Sequence, residues 1–369
     1  MTWLHSLIRN AAPGLDNYVV CEITQNLAQF PLEGIRSLEH EGRLRRLFDK
    51  GVRKLGLRRH LSFAARTASE LRPDILHSHF GDRGWQDLPI ARALGLKHVV
   101  TFYGYDVNML PTDPTWRARY KELFDSADRF LCEGPHMARC LVELGCPEAK
   151  VHVQRLGVSV RSIRFVPRTI DENGPLRILI AGTFREKKGI PDALEAIGRL
   201  RRYHPNVLVT IIGDSTGKSR EEAEKRRIAE VIAQYDLGHV VTLLGFQPHA
   251  RLFEEAYKHH VFLSPSVTAS DGDTEGGAPV TLIEMAATGM PIVSTTHCDI
   301  PEVVLHGESG LLCPERNPTA LAEALLMIAN DPQYLPNMGL RGRQHIEAHF
   351  DLEALSVSLA DRYAGLTNS

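Results

Sequence analysis

The chain has 369 residues and 43% hydrophobic content, enough for two domains of ordinary size rather than one small core. Forty-three Lys plus Arg against forty-five Asp plus Glu leave a formal charge of −2, which argues against a general nucleic-acid binder. No apolar run reaches the ~18 residues that span a bilayer, and the start, MTWLHSLIRN, turns polar too soon for a signal peptide. Six scattered cysteines without a CxxC pair fit reduced thiols in a cytosolic protein.

In chain order, the first strand is expected at DNYVVCEI, ending at Ile23. A basic segment follows, GRLRRLFDKGVRKLGLRRHLSF from Gly42 to Phe63, in which Leu44, Leu47, Phe48, Val52 and Leu55 recur at helical spacing between arginines and lysines. The apolar stripe is expected in the core. The basic face, residues 43–59, is either solvated or laid against an anionic membrane surface. Strands are then expected at 74–80, 97–104, 128–134 and 151–157, with helical stretches such as DPTWRARYKELFDSA between them. Strand–helix–strand alternation at this spacing means a parallel sheet with helices on its faces. Residues 161–175 hold two prolines and an Asp-Glu-Asn-Gly turn and read as a linker. The pattern restarts with strands at 176–184, 206–214, 239–246, 259–266, 290–295 and 310–313. Two Rossmann-like halves are therefore expected to face each other across a cleft, with ligands at the carboxyl ends of the strands.

The stretch from Asp271 to Glu284, DGDTEGGAPVTLIE, carries the densest chemistry. Paired Gly276 and Gly277 let backbone approach a ligand, and Pro279 suits a first helical turn. The helix start offers N–H groups to an anion such as a pyrophosphate, while Glu275 and Glu284 can accept from ligand hydroxyls. In the first half His77 and His79 stand two apart on one strand face. No further ligand spacing completes a metal site around them. Two motifs are decoys. Asp271-Gly272-Asp273 mimics a metal-binding DxD but reads as a structural loop. Gly213 to Ser219 mimics a phosphate-binding loop but has three residues between its glycines where the motif needs four, so an ATPase using Lys218 is a weak alternative.

These residues resemble the retaining glycosyltransferases of the two-domain GT-B group known as family 4. The likeness rests on AGTFREKKGI, IIGD, LGFQPHARL, SPS, EGGAPVTLIEMAATGMPIVST and IPEVVLHGESGLLCP. In the first half it rests on DILHSHFG, VVTFYGYD and LGCPEAKVHVQRLGVSV. The resemblance implies an α/β fold with an N-terminal acceptor-side domain over 1–165 and a nucleotide-sugar domain over 166–349. The helix of 350–369 would return to the first domain. The usual first strand and glycine loop are missing from the expected pattern at the amino end, which would leave a sheet edge open.

The implied activity is a metal-independent hexosyltransferase, without cofactor. It would move a hexose with retention from a nucleotide-diphosphate sugar to a glycan or lipid-linked acceptor in cell-surface polysaccharide synthesis. Glu275 would touch the transferred sugar and Glu284 the ribose, although the family has seven residues between its two glutamates and this chain has eight. Gly276, Gly277 and Ala278 would bring amides to the phosphates, with Gly182 and Thr183 opening the other donor loop. Lys188 matches the family lysine. The family arginine stands where Thr183 is, so Arg185 would serve instead, and both cations would stabilise the departing diphosphate. Tyr103 replaces a histidine that meets the sugar, and His79 would line the acceptor side. Asp106 would either bind an acceptor hydroxyl or cap a turn. The implied location is cytoplasmic, peripheral at the inner face of the plasma membrane. A non-catalytic nucleotide-sugar binder and a nucleotide-sugar epimerase are the alternatives of the same architecture.

Overall fold

A computed structural model describes residues 2–28 and 30–367. The chain forms two compact units. One runs to Gly157 and takes in the segment from Leu352 onward; the other is Val158–Asp351.

In the first unit a two-stranded parallel pair, β1 (Val19–Cys21) and β2 (Ile35–Ser37), stands apart from the main sheet. That main sheet is parallel, in the order β3 (Ile75–His79), β4 (Lys97–Thr101), β5 (Arg129–Cys132) and β6 (Val151–Val153). One face packs an aromatic core in which Phe102, Tyr120, Phe124 and Phe130 are fully buried. Leu359 and Leu366, of the Leu352–Thr367 helix, pack with Val99 and Leu131 of β4 and β5. The same helix places Tyr363 beside edge strand β3, where its hydroxyl lies 2.6 Å from His77 Nδ1. Continuous apolar strands buried on both faces are what a parallel sheet requires.

The basic segment forms a helix over Arg43–Lys54, but its orientation is the reverse of the expected one. Leu44 is 83% exposed and Phe48 62%, whereas Asp49 is buried at 2%. The reason is a polar anchor: Asp49 Oδ1 and Oδ2 accept from the amides of Ser62 and Phe63, each at 2.9 Å, and cap the next helix, Ser62–Leu71. Turning the apolar stripe inward would strand that carboxylate in water and leave two helix-start amides unpaired.

The second unit holds six parallel strands in the order β12–β11–β10–β7–β8–β9. They are β7 (Leu176–Ala181), β8 (Val207–Ile212), β9 (Val241–Leu243), β10 (Val261–Ser264), β11 (Ile292–Thr295) and β12 (Gly310–Cys313). The order reverses direction between β7 and β10, so the loops leaving these two strands diverge at their carboxyl ends. Within residues 161–175, expected to be a linker, Ile163 and Arg168 are packed into the unit while much of the rest is exposed. Arg168 is 3% exposed, and its guanidinium donates to the carbonyls of His259 and Ala256 and to Thr288 Oγ1. Among the described residues no helix is long and apolar enough to cross a membrane.

Candidate active site

The loop after β7 runs from Gly182 to Gly189. Gly182 donates its amide to Ile212 O at 2.9 Å, and Gly189 has φ +61° with its Cα so close to Pro265 that a Cβ would meet that carbonyl at 1.9 Å. Backbone contact between Lys187 O and the Val267 amide, 2.9 Å, ties this loop to the one leaving β10. The Lys188 stem lies across Gly182, and its ammonium reaches Glu275 at 2.8 Å from Oε1 and 3.0 Å from Oε2. Ser266 donates to the same Oε1 at 2.9 Å. The Glu275 side chain is only 7% exposed. Burial pulls its pKa up, but the charges of Lys188 and Lys187, with the hydrogen bonds from Lys188 and Ser266, outweigh burial and hold it below the usual carboxylate range.

The backbone of Glu275 is held as firmly. Its amide donates to His297 Nε2 at 3.1 Å, so that nitrogen carries the lone pair. The other ring nitrogen, Nδ1, then carries the proton and donates to Glu315 Oε1 at 2.7 Å. Glu315 in turn accepts the Thr268 amide at 2.7 Å. The Gly276 amide is used within the loop, donating to Thr274 Oγ1 at 3.1 Å. Among the described residues the amides of Gly277, Ala278, Val280 and Thr281 have no acceptor in the protein. They open the helix Val280–Ala287, where N–H dipoles favour an anion.

Glu284 lies within that helix and is buried at 8%. His249, at the first position of the helix His249–Ala256, places Nε2 2.7 Å from Glu284 Oε1. The hydrogen bond to Glu284 raises the His249 pKa above its ordinary value, with burial opposing. Arg185 is on the same loop as Lys188 and Thr183 but turns elsewhere. Its Nε is 3.2 Å from Glu221 Oε1 and its Nη1 3.9 Å from Asp273 Oδ2. The structure thus brings Lys188, Glu275 and the Gly277–Ala278 amides together and leaves Arg185 half-exposed beside Glu221 and Asp273.

Both decoy motifs are filled by the chain's own groups. Asp271 pairs with Arg220 and Asp273 with Lys187. In the Gly213–Ser219 loop the Glu221 carboxylate accepts the Thr216 amide at 2.7 Å and its hydroxyl at 2.5 Å, while Lys218 is exposed.

In the first unit, His79 Nδ1 lies 2.6 Å from the Tyr103 hydroxyl. Burial lowers the His79 pKa to about 4, so its imidazole is neutral near pH 7. His77 is likewise pushed down by burial and sits 2.7 Å from Thr101 Oγ1. Asp106 is fully buried and accepts the amides of Gly81, Tyr103 and Gly104 at 2.8, 2.9 and 3.0 Å. Those bonds give it the turn-cap place of the two considered, and leave no surface for an acceptor. Its pKa is pushed up to about 7 by burial, against the pull of those amides.

Sequence reading passed over His249, Ser266, His297 and Glu315. Ser266 and His249 stood inside motifs already singled out, SPS and LGFQPHARL, where their partners were not readable. His297 and Glu315 follow β11 and β12, and only the strand order places those loops beside β10.

Two family models match the chain, one described as glycosyltransferase family 4 over residues 11–162 and one as glycosyl transferases group 1 over 165–345. The amylovoran biosynthesis glycosyltransferase AmsK of Erwinia amylovora is 32% identical over 290 residues, covering 78% of this chain and 69% of that protein. WcaL of Escherichia coli, which bears the name of a colanic acid biosynthesis glycosyltransferase, is 33% identical over 304 residues, 81% of this chain and 72% of its own. Among solved structures, HepE of Anabaena in complex with UDP and glucose superposes with a TM-score of 0.78 at 15% identity, over 99% of this chain and 95% of that one. Sucrose-phosphate synthase of Thermosynechococcus elongatus gives 0.71 at 21%, over 83% and 76%.

Proposed function

This chain belongs to the group 1, family 4 glycosyltransferases, and from that premise we propose that it transfers a hexose from a nucleotide-diphosphate sugar, with retention and without a metal, to a glycan or lipid-linked acceptor in cell-surface polysaccharide synthesis. The observation that carries the reading is the Lys188–Glu275 pair at the mouth of the Val280–Ala287 helix. A cation, a carboxylate and several acceptor-free amides within one loop pair suit a sugar joined to a diphosphate. The amides and Lys188 take the phosphate oxygens, where negative charge grows in the transition state. Glu275 accepts from the sugar hydroxyls, and Glu284, braced by His249, accepts from the ribose.

Lys188 can swing from Glu275 to a phosphate oxygen, so that the donor completes the charge balance that the pair maintains without it. Arg185 joins Lys188 if its contact with Glu221 gives way. The departing phosphate then helps remove the acceptor hydroxyl proton, and the sugar is attacked on the face the phosphate leaves. His79 and Tyr103 are the acceptor-side groups of this reading. The UDP and glucose bound by HepE, a protein of the same fold, support a nucleotide-sugar donor.

The test is a thermal-shift screen of nucleotide sugars, because a donor that binds the native state raises its melting temperature. The binding donor is then incubated with acceptor glycans, with and without EDTA, and the product anomer is read by NMR. No shift with any nucleotide sugar, an inverted product, or activity lost to EDTA would each refute the part of the proposal it addresses.

A further inference from the structure

The Arg43–Lys54 helix carries its apolar stripe on the outside. Leu44, Leu47, Phe48 and Leu55 fall at the spacings that share one helix face, and they are 83, 59, 62 and 75% exposed, with Leu57 just beyond at 72%. Such an array of large apolar side chains marks a contact surface. Its inward face is fixed by Asp49 through the amides of Ser62 and Phe63, and by Arg53, whose guanidinium spans both oxygens of Glu22 at 2.6 and 3.2 Å. The stripe therefore cannot be buried by rolling the helix without breaking those bonds.

What covers it is told by the charge around it. Residues 43–59 contain eight Arg or Lys and a single acid, Asp49, which is buried. Arg45, Arg53 and Arg59 have carboxylate partners in Glu41, Glu22 and Glu122. Among the described residues no carboxylate pairs with Arg43, Arg46, Lys50, Lys54 or Arg58. Arg43, Lys50 and Lys54 flank one side of the stripe and Arg45 the other, which is the cross-section of a helix lying in a bilayer interface. A second copy docked by this face would set its unpaired cations against the same cations of the first. A nucleic acid would use the cations and leave the leucines in water.

We propose that this face docks on an anionic lipid bilayer, with Leu44, Leu47, Phe48 and Leu55 entering the acyl boundary and the surrounding cations meeting lipid phosphates. The surface holds a lipid-linked acceptor's membrane near the enzyme, yet the proposal does not rest on the catalytic reading, since binding is measured with neither donor nor acceptor.

The experiment is co-sedimentation of the full chain with phosphatidylcholine vesicles, with and without phosphatidylglycerol. The chain is expected to pellet with the anionic vesicles, to stay in solution with the neutral ones, and to be released by salt. Leu47→Ser with Phe48→Ser should lower partitioning more than tenfold, since each removes a large buried apolar side chain. Lys50→Gln and Lys54→Gln should each lower it about fivefold. All four side chains are solvent-exposed, so an unchanged melting temperature certifies the fold of each variant. Equal binding to both vesicle types, no binding to either, or undiminished binding by the folded serine variant would overturn the proposal. So would a concentration-dependent dimer in sedimentation velocity that the serine variant abolishes.

Discussion

Lys188 and Glu275, 87 residues apart in sequence, form an ion pair of 2.8 Å whose carboxylate is 7% exposed. Loops from β7 and β10 meet there because those strands are neighbours in the sheet. The pair is asymmetric: the lysine keeps contact with solvent at 21% exposure, while the carboxylate has little. Losing the lysine is therefore the costlier loss for the fold, because it leaves a buried charge unmatched.

Lys188→Ala is expected to lower kcat by about a hundredfold or more, the scale of removing one transition-state donor, and to destabilise the native state by roughly 2 kcal/mol. Glu275→Ala should match it in turnover with a smaller loss of stability. The double variant should regain part of the stability lost by Lys188→Ala. Turnover assays with urea denaturation of all three read this directly, and unimpaired transfer by both single variants would show the site misplaced.

His297 acts on Glu275 through its backbone. His297→Phe removes the acceptor of the Glu275 amide and the partner of Glu315, and is expected to cost about 1–3 kcal/mol. Because the carboxylate keeps its Lys188 partner, kcat should fall while donor Kd changes little. His297→Asn, which retains an acceptor, should restore part of kcat. A variant whose loss of activity tracks its loss of folded protein would reduce His297 to a structural role.

The His249–Glu284 contact makes stability fall on the alkaline side. The folded His249 pKa lies above its unfolded value, so the contact is fully present below pH ~6.5 and fades as pH rises through the folded pKa. Urea midpoints taken from pH 6 to 9 should decline, and His249→Gln should flatten that slope without changing the acid limb.

The acid limb has another origin. His79 and His98 have pKa values lowered by burial to about 4, against ~6.5 unfolded. The unfolded chain therefore binds protons that the native state refuses, and stability drops as pH falls from about 6.5 to 4. Replacing His98 with Gln should shrink that drop, as read from denaturation midpoints across the window.

The family resemblance picked out Lys188, while strand and helix periodicity determined much from the sequence alone: two rounds of alternating strands and helices, the glycine turns, and the candidate loop residues Glu275 and Glu284. Those are local properties, written in spacings of two or three to four residues and in a few glycines and prolines. The partners of these residues are set by strand order, which no local spacing encodes; β7 lies beside β10 and β11 beside β12, and so His297 and Glu315 come behind Glu275. The Arg43–Lys54 helix shows the same limit from the other side. Its amphipathic pattern was legible, but which face turns outward was decided by Asp49 finding two helix-start amides, a contact between segments that no spacing within the helix encodes.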